Sequence, residues 1–225
     1  MKIPLEPEYR KKFYRYLDEV FDSNFWTEGP INERFEKAFG EYVRIPAKTS
    51  ASGGAALLAI LEYLKVRDNE VIVPANTFWA TAQAAKKAGA KVVYADCNKE
   101  DLCLSLEDLK KRITPKTRAV VVVHIGGHIA FQIEEISRFC RAQGIALVED
   151  CAHVHGASWH GKTGGHYGFA GAYSFYATKT MPLGEGGMVV SHDVEFLDWY
   201  EKYRNYGKEI VSGKITYPVK DGFNC

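Results

Sequence analysis

Arg118-Ala-Val-Val-Val-Val123, a helical pattern from about Phe131 to Gln143, and then Ile145-Ala-Leu-Val-Glu149 form the stretch that sets the rhythm of the whole chain. Its two apolar runs are short and rich in β-branched residues. They lack the alternation of a strand wetted on one face, which is how a strand covered on both faces reads. Strand, amphipathic helix and strand of this kind make a βαβ unit. Towards the N-terminus the same rhythm continues through Glu70-Val-Ile-Val-Pro74 and Lys91-Val-Val-Tyr-Ala95, with helical stretches from about Ala75 to Ala88 and from Ser105 to Ile113. Gly residues and the Thr114-Pro115 pair punctuate them. Towards the C-terminus come apolar runs at Ala172 to Tyr176 and Gly187 to Ser191, then a helix from about Val194 to Tyr206. The expected fold is α/β, a doubly wound and mostly parallel sheet in a three-layer α/β/α sandwich. Before it, Phe13, Leu17 and Val20 in one stretch and Phe35, Ala38 and Phe39 in another recur at helical spacing, predicting two amphipathic helices. The division expected is residues 1–45 as a helical segment, 46–207 as the ligand-binding domain and 208–225 as the start of a C-terminal segment.

Composition narrows the function classes. The chain has 225 residues, 46% of them hydrophobic, which is enough for a sizeable core. Lys and Arg number 29 against 28 Asp and Glu, so no bulk field points to nucleic acid or to an anionic membrane. The five cysteines are odd in number and show no CxxC spacing, and the sequence has neither a signal pattern nor a membrane-length apolar run. They read as reduced thiols of a cytoplasmic protein. His124 with His128, and His153 with His155, are candidate ligands for a metal-dependent hydrolase, but no HExxH or carboxylate-framed spacing accompanies them. No metal is expected.

In a doubly wound sheet, ligands sit beyond the carboxyl ends of the strands. That rule directs attention to Phe78 and Trp79, His124, Asp150 and His153, and Lys179. Ser52-Gly-Gly-Ala-Ala-Leu57 places two glycines before a helical run, which is either a turn or a cradle whose amides meet an anion at a helix N-terminus. Asp150 ends an apolar run and either caps the following turn or acts on a ligand. Lys179 lies in an apolar, Gly-rich stretch, where burial disfavours the ammonium form and leaves a neutral amine as nucleophile; the alternative is a solvated loop charge. An anion cradle, a carboxylate and such a lysine together are what pyridoxal phosphate (PLP) requires. Its phosphate needs donors, its pyridine nitrogen a carboxylate and its aldehyde a lysine.

With these segments in view, the sequence resembles the DegT-type nucleotide-sugar aminotransferases, a branch of the fold type I PLP-dependent transferases. The resemblance runs from about Trp26 to the end. It is carried by Ser52-Gly-Gly-Ala-Ala-Leu57, Glu70-Val-Ile-Val-Pro-Ala-Asn-Thr-Phe78, Glu149-Asp-Cys-Ala-His-Val-His-Gly156, Ser174-Phe-Tyr-Ala-Thr-Lys179 and Gly184-Glu-Gly-Gly187. It implies that Gly53, Gly54 and Ser174 hold the phosphate, that Phe78 stacks on the pyridine ring, and that Asp150 pairs with the ring nitrogen. It implies His153 near the phenolic oxygen and Lys179 as Schiff base and proton shuttle; related dehydratases have histidine at that position. The implied reaction moves an amino group from glutamate or glutamine to a keto-sugar, commonly nucleotide-linked.

Two departures stand out. Relatives usually have Thr where Gly54 stands. They also continue into a small C-terminal domain where this sequence reaches Gly222-Phe-Asn-Cys225. The asparagine matching Asn224 reaches the phosphate of a neighbouring subunit in relatives, which implies a homodimer. A fold remnant that binds cofactor or a protein partner without turnover is the alternative expectation.

Overall fold

The computed structural model describes residues 6–211, 214–216, 222 and 225. Two helices, α1 (Pro7–Ser23) and α2 (Pro30–Val43), lead into β1 (Ala47–Ser50) and α3 (Gly53–Tyr63). There follow β2 (Glu70–Pro74), α4 (Trp79–Lys87), β3 (Lys91–Ala95), α5 (Leu106–Arg112), β4 (Thr117–Val123), α6 (Ile133–Ala142) and β5 (Ala146–Asp150). A small hairpin of β6 (Ser158–Trp159) and β7 (Lys162–Thr163) precedes β8 (Ala170–Ser174), β9 (Gly187–Val190) and α7 (Val194–Tyr203). An antiparallel pair, β10 (Glu209–Val211) and β11 (Lys214–Thr216), comes last.

Seven strands form one sheet in the order β1-β9-β8-β5-β4-β2-β3. Only β9 runs against the others, pairing antiparallel with both β1 and β8. Neighbouring residues of the inner strands enter opposite cores: Ile72, Val120, Val122 and Leu147 on one face, Val71, Val73, Val121 and Val148 on the other. Covering both faces is why these strands read as unbroken Val/Ile runs. The expected α/β/α architecture with a mostly parallel sheet is what the chain adopts.

Helix starts follow local chemistry. Ser52 Oγ accepts from the Ala55 amide at 3.1 Å and Asp193 Oδ1 from the Phe196 amide at 2.8 Å, each satisfying a first-turn donor. The helix expected from Ala75 begins only at Trp79. Ala75 still extends the sheet through its amide to the Ala95 carbonyl at 2.8 Å, and Phe78 is the extended N-cap. The strand expected at Ala172–Tyr176 lies two residues earlier, because Ala170 pairs with Val148 while Phe175 turns to hydrogen-bond Gly186. β1, Ala-Lys-Thr-Ser, carries no apolar run and was not anticipated; pairing with β9 overrides its weak strand propensity.

Helix α2 buries Phe39 and Val43, with Phe39 edge-on to Tyr173 and Phe175 at ring distances of 5.1 and 5.4 Å. Arg204 locks this arrangement from behind α7. Its Nη1 donates to Glu36 Oε1 at 2.5 Å and to the Thr49 carbonyl at 3.1 Å. By contrast, α1 has no buried residue.

Register brings the strand ends together. Asp150 pairs with Val123 and Ala172, Ser174 with Gly187, and Gly187 with Ser50. The end of β1, the start of α3, the end of β5 and the loop after β8 therefore share one edge of the sheet.

Candidate active site

Asp150 is the last residue of β5 and is 7% exposed. Its Oδ2 accepts from Thr81 Oγ1 at 2.8 Å and its Oδ1 from the Ala152 amide at 3.1 Å. The second bond is the turn cap that the sequence left open; the first was not anticipated. Thr81 sits one turn into α4, and Phe78, at its N-cap, is 61% exposed, so Thr81 ties the turn that presents Phe78 to Asp150.

Lys179 lies in the turn that follows β8, its amide bonded to the Tyr176 carbonyl at 2.9 Å. The side chain is half-buried, and that burial lowers its pKa from the ordinary lysine value, with attraction to Asp150 working the other way. His153 is held below the usual histidine value by burial and then by Lys179, again opposed by Asp150. Such mutual effects require the three groups to lie within electrostatic reach of one another. His155 is buried against Tyr173 and Phe175, at ring distances of 5.4 and 5.5 Å, and burial pushes it down to about 4.

The glycine pair opens α3, whose first-turn amides have no partner within the helix. A side chain at Gly53 would strike Ser174 Cβ at 2.8 Å, so that glycine is what lets the helix start reach the end of β8. At Gly54 a Cβ would meet nothing closer than Ser52 Oγ at 3.8 Å, which leaves the space in front of the helix open. Asp150, His153 and Lys179 thus gather beside Gly53, Gly54, Ser174 and Phe78 along one sheet edge. Asn224 lies outside the described residues.

The histidines divide. His124 is fully buried. Its Nδ1 accepts from the Ala130 amide at 3.1 Å, so its Nε2–H donates to Glu149 Oε2 at 2.9 Å. It is a packed residue and does not face the open edge. His128 instead bonds the Asp101 carbonyl at 3.1 Å, so His124, His128, His153 and His155 do not converge on one point. Trp79 is 66% exposed on the first turn of α4. The signal for Thr81 was available only as a hydroxyl one turn after Phe78; nothing local tied it to a carboxylate 69 positions away.

The sequence model of the DegT/DnrJ/EryC1/StrS aminotransferase family matches residues 7–225. GDP-perosamine synthase of Vibrio cholerae is 36% identical over 212 residues, covering 93% of this chain and 57% of that protein. The aminotransferase of Psychrobacter cryohalolentis superposes with a TM-score of 0.89 at 27% identity, over all of this chain and 59% of that one. The GDP-4-keto-6-deoxy-D-mannose-3-dehydratase of Escherichia coli, solved with hydrated PLP, superposes with a TM-score of 0.79 at 26% identity, covering 86% of this chain and 52% of that one. This chain spans about half the length of the curated relatives it matches. Family and PLP-bound neighbour both point to pyridoxal phosphate as the cofactor of this fold. With a family model that matches residues 7–225 and a relative 36% identical over 93% of its length, the chain belongs to the DegT/DnrJ/EryC1/StrS aminotransferase family.

Proposed function

We propose that this chain is the cofactor-binding part of a PLP-dependent aminotransferase that moves an amino group from glutamate or glutamine to a keto-sugar, nucleotide-linked in its natural form. The observation that carries the reading is the placement of a half-buried lysine, Lys179, within reach of a carboxylate, Asp150, on the edge where α3 begins. The residues present fit the group. Open space before the Gly53–Gly54 amides suits a phosphate, the Ser174 hydroxyl adds a donor, and both Asp150 oxygens keep lone pairs beyond the two bonds they accept. When bound, PLP supplies an aldehyde that takes up amino groups and a pyridinium that draws electron density.

On this reading Asp150 keeps the ring nitrogen protonated, Phe78 covers the ring face, and His153, neutral because it is partly buried beside Lys179, hydrogen-bonds the phenolic oxygen. Lys179 Nζ attaches the cofactor. Its lowered pKa makes the neutral amine available nearer to neutral pH than for an ordinary lysine, and the same amine would serve as the base that takes the proton from the amino donor's α-carbon. Residues 46–207 are the cofactor-binding domain, 1–45 a helical segment before it and 208–225 the start of a C-terminal segment. A homodimer with Asn224 reaching the partner's phosphate site, a cytoplasmic location, and no nucleic-acid or membrane partner complete the proposal. No helix among the described residues is long and apolar enough to cross a membrane.

The test compares the purified chain with Lys179→Ala after PLP is added and the excess removed. A near-visible band in the wild type that borohydride fixes to the protein, and that the variant lacks, is the expected result. Equal spectra for the two proteins would overturn Lys179 as the attachment site and favour a non-catalytic role.

A further inference from the structure

Thr81 is 1% exposed, on the first turn of α4, and its hydroxyl lies 2.8 Å from Asp150 Oδ2. The same hydroxyl lies 2.8 Å from Thr77 Oγ1. The chemistry of the acceptor orients this chain. A carboxylate only accepts, so Thr81 must donate its single proton to Asp150; it then has none for Thr77, and Thr77 must be the donor between the two hydroxyls. The Thr77 hydroxyl has one other neighbour in reach, the Phe78 carbonyl at 3.3 Å. The relay therefore runs one way, from Thr77 through Thr81 to Asp150, and each bond polarises the next.

Asp150 Oδ1 is held separately by the Ala152 amide at 3.1 Å. One oxygen is thus fixed from α4 and the other from the loop after β5, which stops the carboxylate from rotating about its own axis.

We infer that Thr81 is the positioning residue for Asp150, with Thr77 donating to the Thr81 hydroxyl and strengthening its bond, so that the turn presenting Phe78 and the carboxylate behind it act as one unit. The inference rests on the proposed pairing of Asp150 with the cofactor's ring nitrogen.

The test titrates PLP into the wild-type chain and into Thr81→Val, Thr81→Ser, Thr77→Val and Asp150→Asn, and follows the pH dependence of the bound chromophore. Thr81→Val keeps the shape and deletes the donor, and loss of a hydrogen bond to a charged acceptor should weaken PLP binding about tenfold and shift the chromophore's pH profile. Thr81→Ser restores both readouts. Thr77→Val gives a smaller loss, about threefold, because it removes only the second bond of the relay. Melting curves confirm that each variant folds. If Thr81→Val matched the wild type in affinity and pH profile while Asp150→Asn did not, the inference would fail and the cofactor reading would stand. If Asp150→Asn itself matched the wild type, the pairing of Asp150 with the cofactor would fail and the relay would lose its purpose.

Discussion

Glu149 and Asp150 are neighbours on β5, carry the same acid group and differ in almost everything around it. Glu149 is 0% exposed and has four donors: the Tyr167 and Gly168 amides at 2.7 Å on Oε1, with the Gly165 amide at 2.8 Å and His124 Nε2 at 2.9 Å on Oε2. Each lone pair is matched. The loop before β8 is thereby pinned to β5, so closely that a side chain on Gly168 would strike the Leu147 carbonyl at 2.5 Å. Asp150 has two donors, stands at the strand end and keeps lone pairs facing the edge that Lys179 approaches. Successive residues of a strand point to opposite faces, so one step along the chain separates a carboxylate that holds the fold from one that is available to a ligand.

The largest effect should come from breaking the saturated cage. Glu149→Gln turns an acceptor into an amide donor facing backbone N–H groups, and leaving such buried donors unsatisfied typically costs about 3 kcal/mol. Asp150→Asn, with fewer donors to offend, should cost about 1 kcal/mol. Urea unfolding of both variants measures the contrast, and equal losses would dissolve the distinction between them.

A second, intermediate effect concerns His155, which is buried with only the Ser174 backbone to offset its desolvation. Its folded pKa of about 4 lies below the ordinary 6.5, so as pH falls through that window the unfolded chain takes up a proton that the folded chain refuses. Stability should therefore fall from pH 6.5 towards 4. His155→Leu should flatten that part of a stability-against-pH curve, and an unchanged slope would show that His155 is better solvated than its burial implies.

The smallest effect tests spare capacity at the open edge. Gly54→Thr adds a hydroxyl where the nearest atoms are 3.8 and 3.9 Å from the new Cβ, and it should tighten PLP binding by up to about tenfold. Unchanged or weaker binding would mean that the phosphate site is already as saturated as the cage around Glu149.

Much of this contrast was legible in part. Glu149 and Asp150 could be read as a pair of acids at a strand end, but which one was buried and saturated depended on donors from residues 165–168 and from His124, brought in by the path of the chain. His124 was a plausible ligand-facing residue by its position after β4, and proved to be the partner of Glu149. Thr81 carried no local signal, since its carboxylate partner is distant in sequence. Ala47-Lys-Thr-Ser50 gave no strand signal because it lacks apolar bulk; its place in the sheet comes from β9.

The sequence by itself determined the βαβ rhythm, the covering of the sheet on both faces, and the residue types that gather at its carboxyl edge, because periodicity and side-chain chemistry are local properties. Only the tertiary structure decided the reversal of β9, the division of labour between Glu149 and Asp150, and the one-way relay from Thr77 through Thr81. Each of these rests on hydrogen bonds between segments far apart in the chain, and whether a polar group is saturated or available depends on which donors the fold delivers to it.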